Sequence, residues 1–452
     1  MKAKRNIIAI LACIFLSLQA SPQGRADSIY HYLQKRDYRL VEEICRGMIR
    51  LDENNPEAWF CLGIALQGMQ DYPGALESYK KASVDSLFNA AASYRMAECQ
   101  ELLGDIKTAL SIYTDLIERD SSDRQSMQKK GKLLLRLEEY EEASHIYSQL
   151  LQDEPENYLF NKNMGICCYK LNRESMAARY FGMAWFYNKK DMSLPVSIAN
   201  AYAKLKLPDK ALSALKDGLK QDSSCIPVLK TAGSIVFAMG NDEEAASYLQ
   251  KAYNYGDTSL FTNKYLGIAY FNMSRYEEAI PFLRSYYSYD TLNTDATYYL
   301  GHALSSWYPK EEGINFLRKT IDLSYPEPVF IGSLYAGMAL AKADMNQREE
   351  AIEYYKKAME LDPSRSDYYL QIAKLYDSRR RIDDDAASGK MALEYFTLYL
   401  DIEEKKREKI MQERNLKADE IFSPGIRYAR HRIKTIREDL FFRGELEKKV
   451  PY

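Results

Sequence analysis

Alanine stands at positions 75, 109, 143, 177, 211, 245 and 279, every 34 residues without a slip, and Gly313 takes the next step. A strict period of this length means that one supersecondary unit is copied along the chain, each copy burying its apolar face against its neighbours. The period overrides the expectation from a length of 452 residues, which alone would suggest two or three globular domains. The chain reads instead as one elongated stack of repeats.

Counting register 1 from Pro56, the residues Trp59, Leu62, Gly63 and Leu66 recur at i, i+3, i+4 and i+7, one face of a helix. Ala75, Tyr79 and Ala82 form a second such face. Asp71-Tyr72-Pro73 separates the two, with Pro73 suited to open the second helix. Register 8 holds Gly63, Ala97, Gly131, Gly165, Ala199, Gly233, Gly267 and Gly301, then Ala339 and Ala373. Glycine inside a helix costs about 1 kcal/mol relative to alanine, so its return at one register requires a packing reason. Small residues at registers 8 and 20 let two helices approach closely. Register 24 supplies the large partner: Tyr79, Tyr113, Tyr147, Phe181, Leu215, Leu249, Leu283 and Leu317. These side chains are read as core, not as a cofactor box.

The segment Glu57 to Ala82 resembles the tetratricopeptide repeat (TPR), a helix-turn-helix unit of the same length. The resemblance implies an all-α fold, a right-handed α-solenoid superhelix of about eleven units. Regular units begin at Pro56, Ala90, Arg124, Tyr158, Met192, Ile226, Leu260 and Thr294. A degenerate unit, about Pro22 to Asn55, precedes them with Tyr38 in its turn. After Glu327 the phase slips by four and a unit runs from Gly332 to Arg365. The last unit starts at Ser366, and its turn is expected to be stretched between Arg379 and Lys390. The domain layout is then a leader at 1–26, repeats at 27–405 and charged capping helices at 406–452. In the last segment Ile426, Ala429, Ile433, Ile436 and Leu440 make a helical stripe, with Ser423 fit for the N-cap and Pro424 for the first helical position. That helix is expected to cover the open end of the stack, with Arg427, Arg430, His431, Arg432, Lys434 and Arg437 on or near its solvated outer side.

Lys2, Lys4 and Arg5 precede an apolar run of 12 residues, Ile7 to Leu18, followed by Ala20 and Ser21. This reads as a secretory signal peptide, because a spanning helix needs about 20 residues. Ile10-Leu11-Ala12-Cys13 faintly resembles a lipoprotein box, but the apolar run continues past Cys13, against lipidation. The chain is therefore expected to be exported, periplasmic or envelope-associated, with no integral span in its mature form. The formal charge of −2 becomes −6 once the four leader bases Lys2, Lys4, Arg5 and Arg25 are removed. An acidic balance argues against nucleic-acid binding. Cys45, Cys61, Cys99, Cys167, Cys168 and Cys225 show no metal-ligand spacing and read as buried thiols. Asp27-Ser28-Ile29, Asp85-Ser86-Leu87 and Asp290-Thr291-Leu292 resemble an O-glycosylation sequon of exported Bacteroidota proteins, though Asp-Ser and Asp-Thr are also common in turns.

No nucleophile, phosphate-loop or dinucleotide motif is present, and His31, His145, His302 and His431 are scattered. The expectation is a non-enzymatic scaffold without cofactor, binding a protein or peptide partner. The TPR resemblance implies a concave wall made by registers 2, 5, 9 and 12 of each first helix, with registers 6 and 13 beside it. In the units from Arg124 and Tyr158 this wall is basic and amide-rich: Gln125, Gln128, Lys129, Lys132, Arg136, Lys162, Asn163 and Lys170, continued by Asn200, Lys204 and Lys230. From Leu260 onward it turns aromatic, with Phe261, Tyr265, Phe271, Tyr298 and Tyr299, and His302 at register 9. Such a wall suits an acidic segment next to apolar anchors. Some TPR proteins hold a chaperone's C-terminal carboxylate through a set of Lys, Asn and Arg residues. At the matching registers this chain has Gln128, Lys132, Asn163, Ser193 and Ser197, where only Asn163 fits. The alternative is docking on a membrane complex through the convex face and the basic C-terminal helix.

Overall fold

The computed structural model describes residues 29–324, 327–414 and 424–446. The leader with Cys13, most of the Asp27-Ser28-Ile29 triplet and the proposed N-cap Ser423 lie outside these residues. All regular secondary structure among the described residues is helical. The chain divides into two compact units, Met1–Gln221 and Asp222–Tyr452.

Within each unit, consecutive helices pair, and each pair packs on the next. The second helices of the regular repeats start at Tyr72, Ile106, Tyr140, Glu174, Pro208, Asp242, Tyr276 and Lys310, reproducing the sequence period. Several helix starts are fixed by short polar side chains. Asn55 accepts from the Ala58 amide at 2.9 Å, Asp71 from Gly74 at 3.1 Å and Asp123 from Ser126 at 3.1 Å. Each such cap satisfies an otherwise orphaned amide, and its loss costs ~1 kcal/mol. First helices end on a left-handed residue at register 15: Gln70, Glu138, Asn172, Lys206 and Ser274, with Gly104 and Gly240 at the same position. This one residue reverses the chain tightly enough for the next helix to fold back.

The glycines at register 8 lie against the large residue at register 24 of the same repeat. A Cβ on Gly165 would stand 2.6 Å from the Phe181 ring, and one on Gly63 2.5 Å from Tyr79. Tyr79, Tyr113 and Tyr147 are among the largest fully buried side chains. The ring is thus laid over bare backbone, and the helix penalty of glycine is offset by burial of the aromatic.

In the second unit the phase slip finds its structural origin, and the stretched turn is corrected. The four extra residues before Gly332 extend the first helix, which runs Pro328–Asp344, instead of adding loop. The last repeat likewise has no stretched turn. Its helices run Ser366–Asp383 and Ala386–Arg414, so Arg379, Arg380 and Arg381 are helical and only residues 384 and 385 connect them. The final helix, Pro424–Phe442, buries Ile426, Ala429, Ile433, Ile436 and Leu440, as its stripe implies. It packs on the Ala386–Arg414 helix. Arg432 departs from the expected solvated face. It bonds the buried Asp377 at 2.9 Å, while Arg380 reaches Asp377 at 3.2 Å and Asp439 at 2.6 Å. Arg430 pairs with Glu404 at 2.8 Å.

Candidate functional site

In the first unit the first helices of successive repeats line a run of hollows. One, of about 810 Å³, lies between Phe60, Tyr94, Glu98, Gln125, Gln128 and Lys132. The next, of about 410 Å³, shares Gln128 and Lys132 with it and is floored by Leu135, Leu159 and Phe160, with Arg136 and Asn163 at its edge. A smaller one follows at Ile166, Tyr169, Lys170, Ser197 and Asn200. Apart from Phe160, at register 3, these residues sit at registers 2, 5, 6, 9, 12 and 13, the wall implied by the sequence. Phe60 and Tyr94, at register 5 of the two preceding repeats, belong to it too. The basic run does not include them, although the same register count points to them.

The charge of this wall differs from the expectation. Lys129 reaches Glu98 at 2.9 Å and Glu101 at 3.6 Å, and lies over the Tyr94 ring. Burial pulls the Lys129 ammonium pKa down, but the hydrogen bond and charge of Glu98 outweigh it and leave the pKa raised. Lys162 bonds Asp191 at 2.7 Å and Ser193 at 3.0 Å. Burial opposes ionisation of Asp191, and Lys162 with Ser193 overcomes it, holding the carboxyl below its usual range. Lys204 stands 3.7 Å from Glu174 and 4.2 Å over Tyr169, and Lys170 lies over Tyr140. Asn163 donates to the Tyr147 hydroxyl at 2.9 Å, and Asn200 is exposed. Lys132 and Arg136 are exposed and form no ion pair among the described residues. They are four apart on one helix face, where like charges repel by a few tenths of a kcal/mol. Beside the apolar floor of the second hollow the unpaired positive charge is therefore that of these two heads, and the exposed Lys170 adds a third cation further along the wall, over the Tyr140 ring.

In the second unit Lys230 is also paired, with Asp257 at 3.1 Å and Ser259 at 2.9 Å, and lies over Phe261. The aromatic wall residues are half-buried and pack on one another. Tyr265 meets Phe261 at 4.6 Å and Phe237 at 5.2 Å, and Phe271 meets Tyr299 at 5.2 Å. Tyr298 stacks on Phe330 and touches His302 at 4.7 Å between ring centres. The His302 Nε2 is shielded from solvent and has no hydrogen-bond partner, and burial pushes the imidazole pKa down to about 4. The aromatic part of the predicted wall is thus engaged in packing within and between repeats.

No cluster of three or more metal-ligating side chains occurs among the described residues. Cys45, Cys61, Cys99, Cys167 and Cys168 are buried free thiols, with Cys61 and Cys167 pushed up to about 12 by burial. No helix among the described residues is long and apolar enough to cross a membrane.

Sequence models described as "tetratricopeptide repeat" match residues 61–124, 129–184 and 332–365. The chain is similar to Hsp70-Hsp90 organizing protein 3 of Arabidopsis thaliana, 27% identical over 106 residues, which is 24% of this chain and 19% of the plant protein. It is similar to Tetratricopeptide repeat protein 21A of Mus musculus, 28% identical over 109 residues, covering 24% of this chain and 8% of that protein. The matched stretch is therefore a small part of either relative. Among solved structures it is similar to YrrB, described as a TPR protein with an unusual peptide-binding site (22% identity, 41% of this chain and 94% of that chain, TM-score 0.37). A tetratricopeptide repeat protein from Parabacteroides merdae gives 19% identity, 54% and 96% coverage, and a TM-score of 0.37.

Proposed function

We propose that this chain, a tandem array of tetratricopeptide repeats, is a non-enzymatic scaffold that binds an extended, acidic segment of a partner protein in the groove of its first unit. The observation that carries the reading is the pairing state of the wall. Lys129, Lys162 and Lys204 are neutralised by neighbouring carboxylates, whereas Lys132 and Arg136 project unpaired beside Leu135, Leu159 and Phe160. A carboxylate from the ligand would relieve the repulsion between the two cations, and its flanking apolar side chain would fill the hollow. The amides of Gln125 and Gln128 are placed to bond an extended backbone. The plant relative's name, an organizing protein for two chaperones, supports a scaffolding role in general terms. The chaperone-carboxylate set is not carried over, and Asn163, its one matching residue, is engaged by Tyr147.

The leader-like first 26 residues support export and action in the cell envelope. The alternative of docking through a basic C-terminal helix has less support, because Arg430 and Arg432 are held by Glu404 and Asp377.

The groove reading is tested with an array of synthetic extended peptides that alternate Asp or Glu with Leu or Phe, read by fluorescence anisotropy. Acidic-apolar peptides should bind the wild type and lose at least about tenfold in affinity to the Lys132→Glu/Arg136→Glu variant, as expected for lost charge-assisted bonds of 1.5–3 kcal/mol. Binding by neither, or equal binding by both, sinks the reading.

A further inference from the structure

The outer face of the Glu174–Tyr187 helix in the first unit is unlike that of its neighbours. Its inner side buries Ala177, Phe181, Ala184 and Trp185, which is the ordinary repeat core. A second apolar stripe runs along the opposite side through Met176, Tyr180, Met183 and Phe186, spaced to share one face. Phe186 is 71% exposed, and Met176 and Met183 are exposed as well. At the same registers the preceding repeat carries Glu142, Ile146, Gln149 and Gln152, and the following one Lys210, Ala214, Asp217 and Lys220. Tyr180 is half-buried against the repeat core, whereas Met176, Met183 and Phe186 are left exposed by the described residues.

Gly182 lies in the same stretch, and nothing comes within 4 Å of where its Cβ would stand. In the same unit Gly165 faces a ring that a methyl group would strike, and Gly131 faces one at 3.1 Å that it would crowd. The helix penalty of Gly182 therefore has no counterpart inside the chain. A glycine on an exposed apolar face makes a notch where another helix can approach backbone to side chain.

The rim of the stripe is cationic. Arg179 lies over the Tyr180 ring and has no carboxylate partner among the described residues. Lys190, just beyond the helix, is exposed, and Lys210 of the next outer helix lies over the Tyr202 ring. The acids close by are engaged: Asp217 by Trp185 at 2.7 Å and Lys189 at 3.0 Å, and Glu174 by Lys204.

We propose that this face docks an amphipathic helix of a partner protein that bears acidic residues beside its apolar stripe and crosses at Gly182. The acids would meet Arg179 and Lys190, and the partner's apolar side chains would cover Met183 and Phe186. A second copy of this chain is a poorer occupant. It would bring the same cations, and one helix stripe falls short of the ~800 Å² per partner of a standard interface. A lipid surface would use the cations and the aromatics but has no use for a notch. The site is separate from the groove, so the two can be occupied together.

The test uses two fluorescein-labelled helical model peptides with the same leucine stripe, one flanked by glutamates and one by lysines. The full chain should bind the glutamate peptide at least tenfold more tightly than the lysine peptide. Gly182→Leu, which fills the notch, and Phe186→Asp should each lower that affinity tenfold or more. Arg179→Glu/Lys190→Glu should invert the preference between the peptides, and Lys132→Glu/Arg136→Glu should leave it unchanged. Gly182→Ala, whose methyl meets open space, should raise the melting temperature by a few degrees, showing that the glycine does not serve the fold. No preference for the glutamate peptide, or binding indifferent to Gly182→Leu, overturns the proposal. So would a wild-type dimer in sedimentation that Phe186→Asp dissolves. Binding of phosphatidylglycerol vesicles that is lost in Phe186→Asp, without binding of either peptide, would assign the face to lipid and overturn the proposal as well.

Discussion

A single methyl group separates a tolerated from a damaging change at register 8. Gly165→Ala would set its Cβ about 2.6 Å from Phe181, which is buried on all sides. Helix propensity alone favours alanine, but overpacking should dominate and destabilise the first unit by about 1–3 kcal/mol. Denaturant melts of wild type and variant measure the difference, and stabilisation would refute the ring-over-backbone account. His302 offers a second residue-scale test. Its folded pKa of about 4 lies below the ~6.5 of an unfolded histidine, so the unfolded chain takes the proton first. The stabilising difference is complete above pH 6.5 and is lost as pH falls toward 4. Between pH 7.5 and 5 wild type should lose about 2 kcal/mol more than His302→Phe. Equal losses would show that the imidazole is not held neutral. The sequence put His302 at register 9, on the wall, and that position was legible. Its enclosure was not, because it depends on Tyr298 and on Gly337 from the next repeat, whose Cβ would crowd the imidazole.

At the scale of elements, the eight regular second helices were legible from the alanine period to within a residue or two, since register 20 must be small wherever two helices touch. The irregular repeats were less legible for a physical reason. Arginine and aspartate runs such as 379–385 are compatible with a loop or with longer helices, and the apolar count is the same for both. The structure resolves this by packing: Arg380 and Arg432 converge on Asp377, which is buried. An extended loop would have taken Arg380 away from that buried carboxylate and left it to Arg432 alone. The arrangement also fastens the Pro424–Phe442 helix. Asp377→Asn leaves Arg432 without its charge partner and Arg380 with Asp439 alone, and should cost about 3 kcal/mol. Hydrogen exchange should then accelerate in residues 424–442 and stay unchanged in residues 29–221. Unaltered protection of the C-terminal helix would show that its apolar stripe alone holds it.

At the scale of the molecule, the period made the architecture readable and left the candidate wall only partly readable. Register counting located the wall from Gln125 to Asn200 and missed Phe60 and Tyr94. It could not tell a free lysine from a paired one. Lys129 and Lys132 sit three residues apart on one helix, yet only Lys129 meets Glu98 of the preceding repeat. That pairing depends on how neighbouring first helices are set beside each other, which no single repeat encodes. The account accordingly narrows a broad basic wall to two cations over an apolar floor. The most direct check is in-cell photo-crosslinking from position 132, with position 145 on the outer side of the same repeat as control, followed by mass spectrometry of the adducts. The account predicts one discrete partner captured at 132 through an acidic segment and absent at 145. No adduct at 132, or the same adducts at both positions, would contradict it.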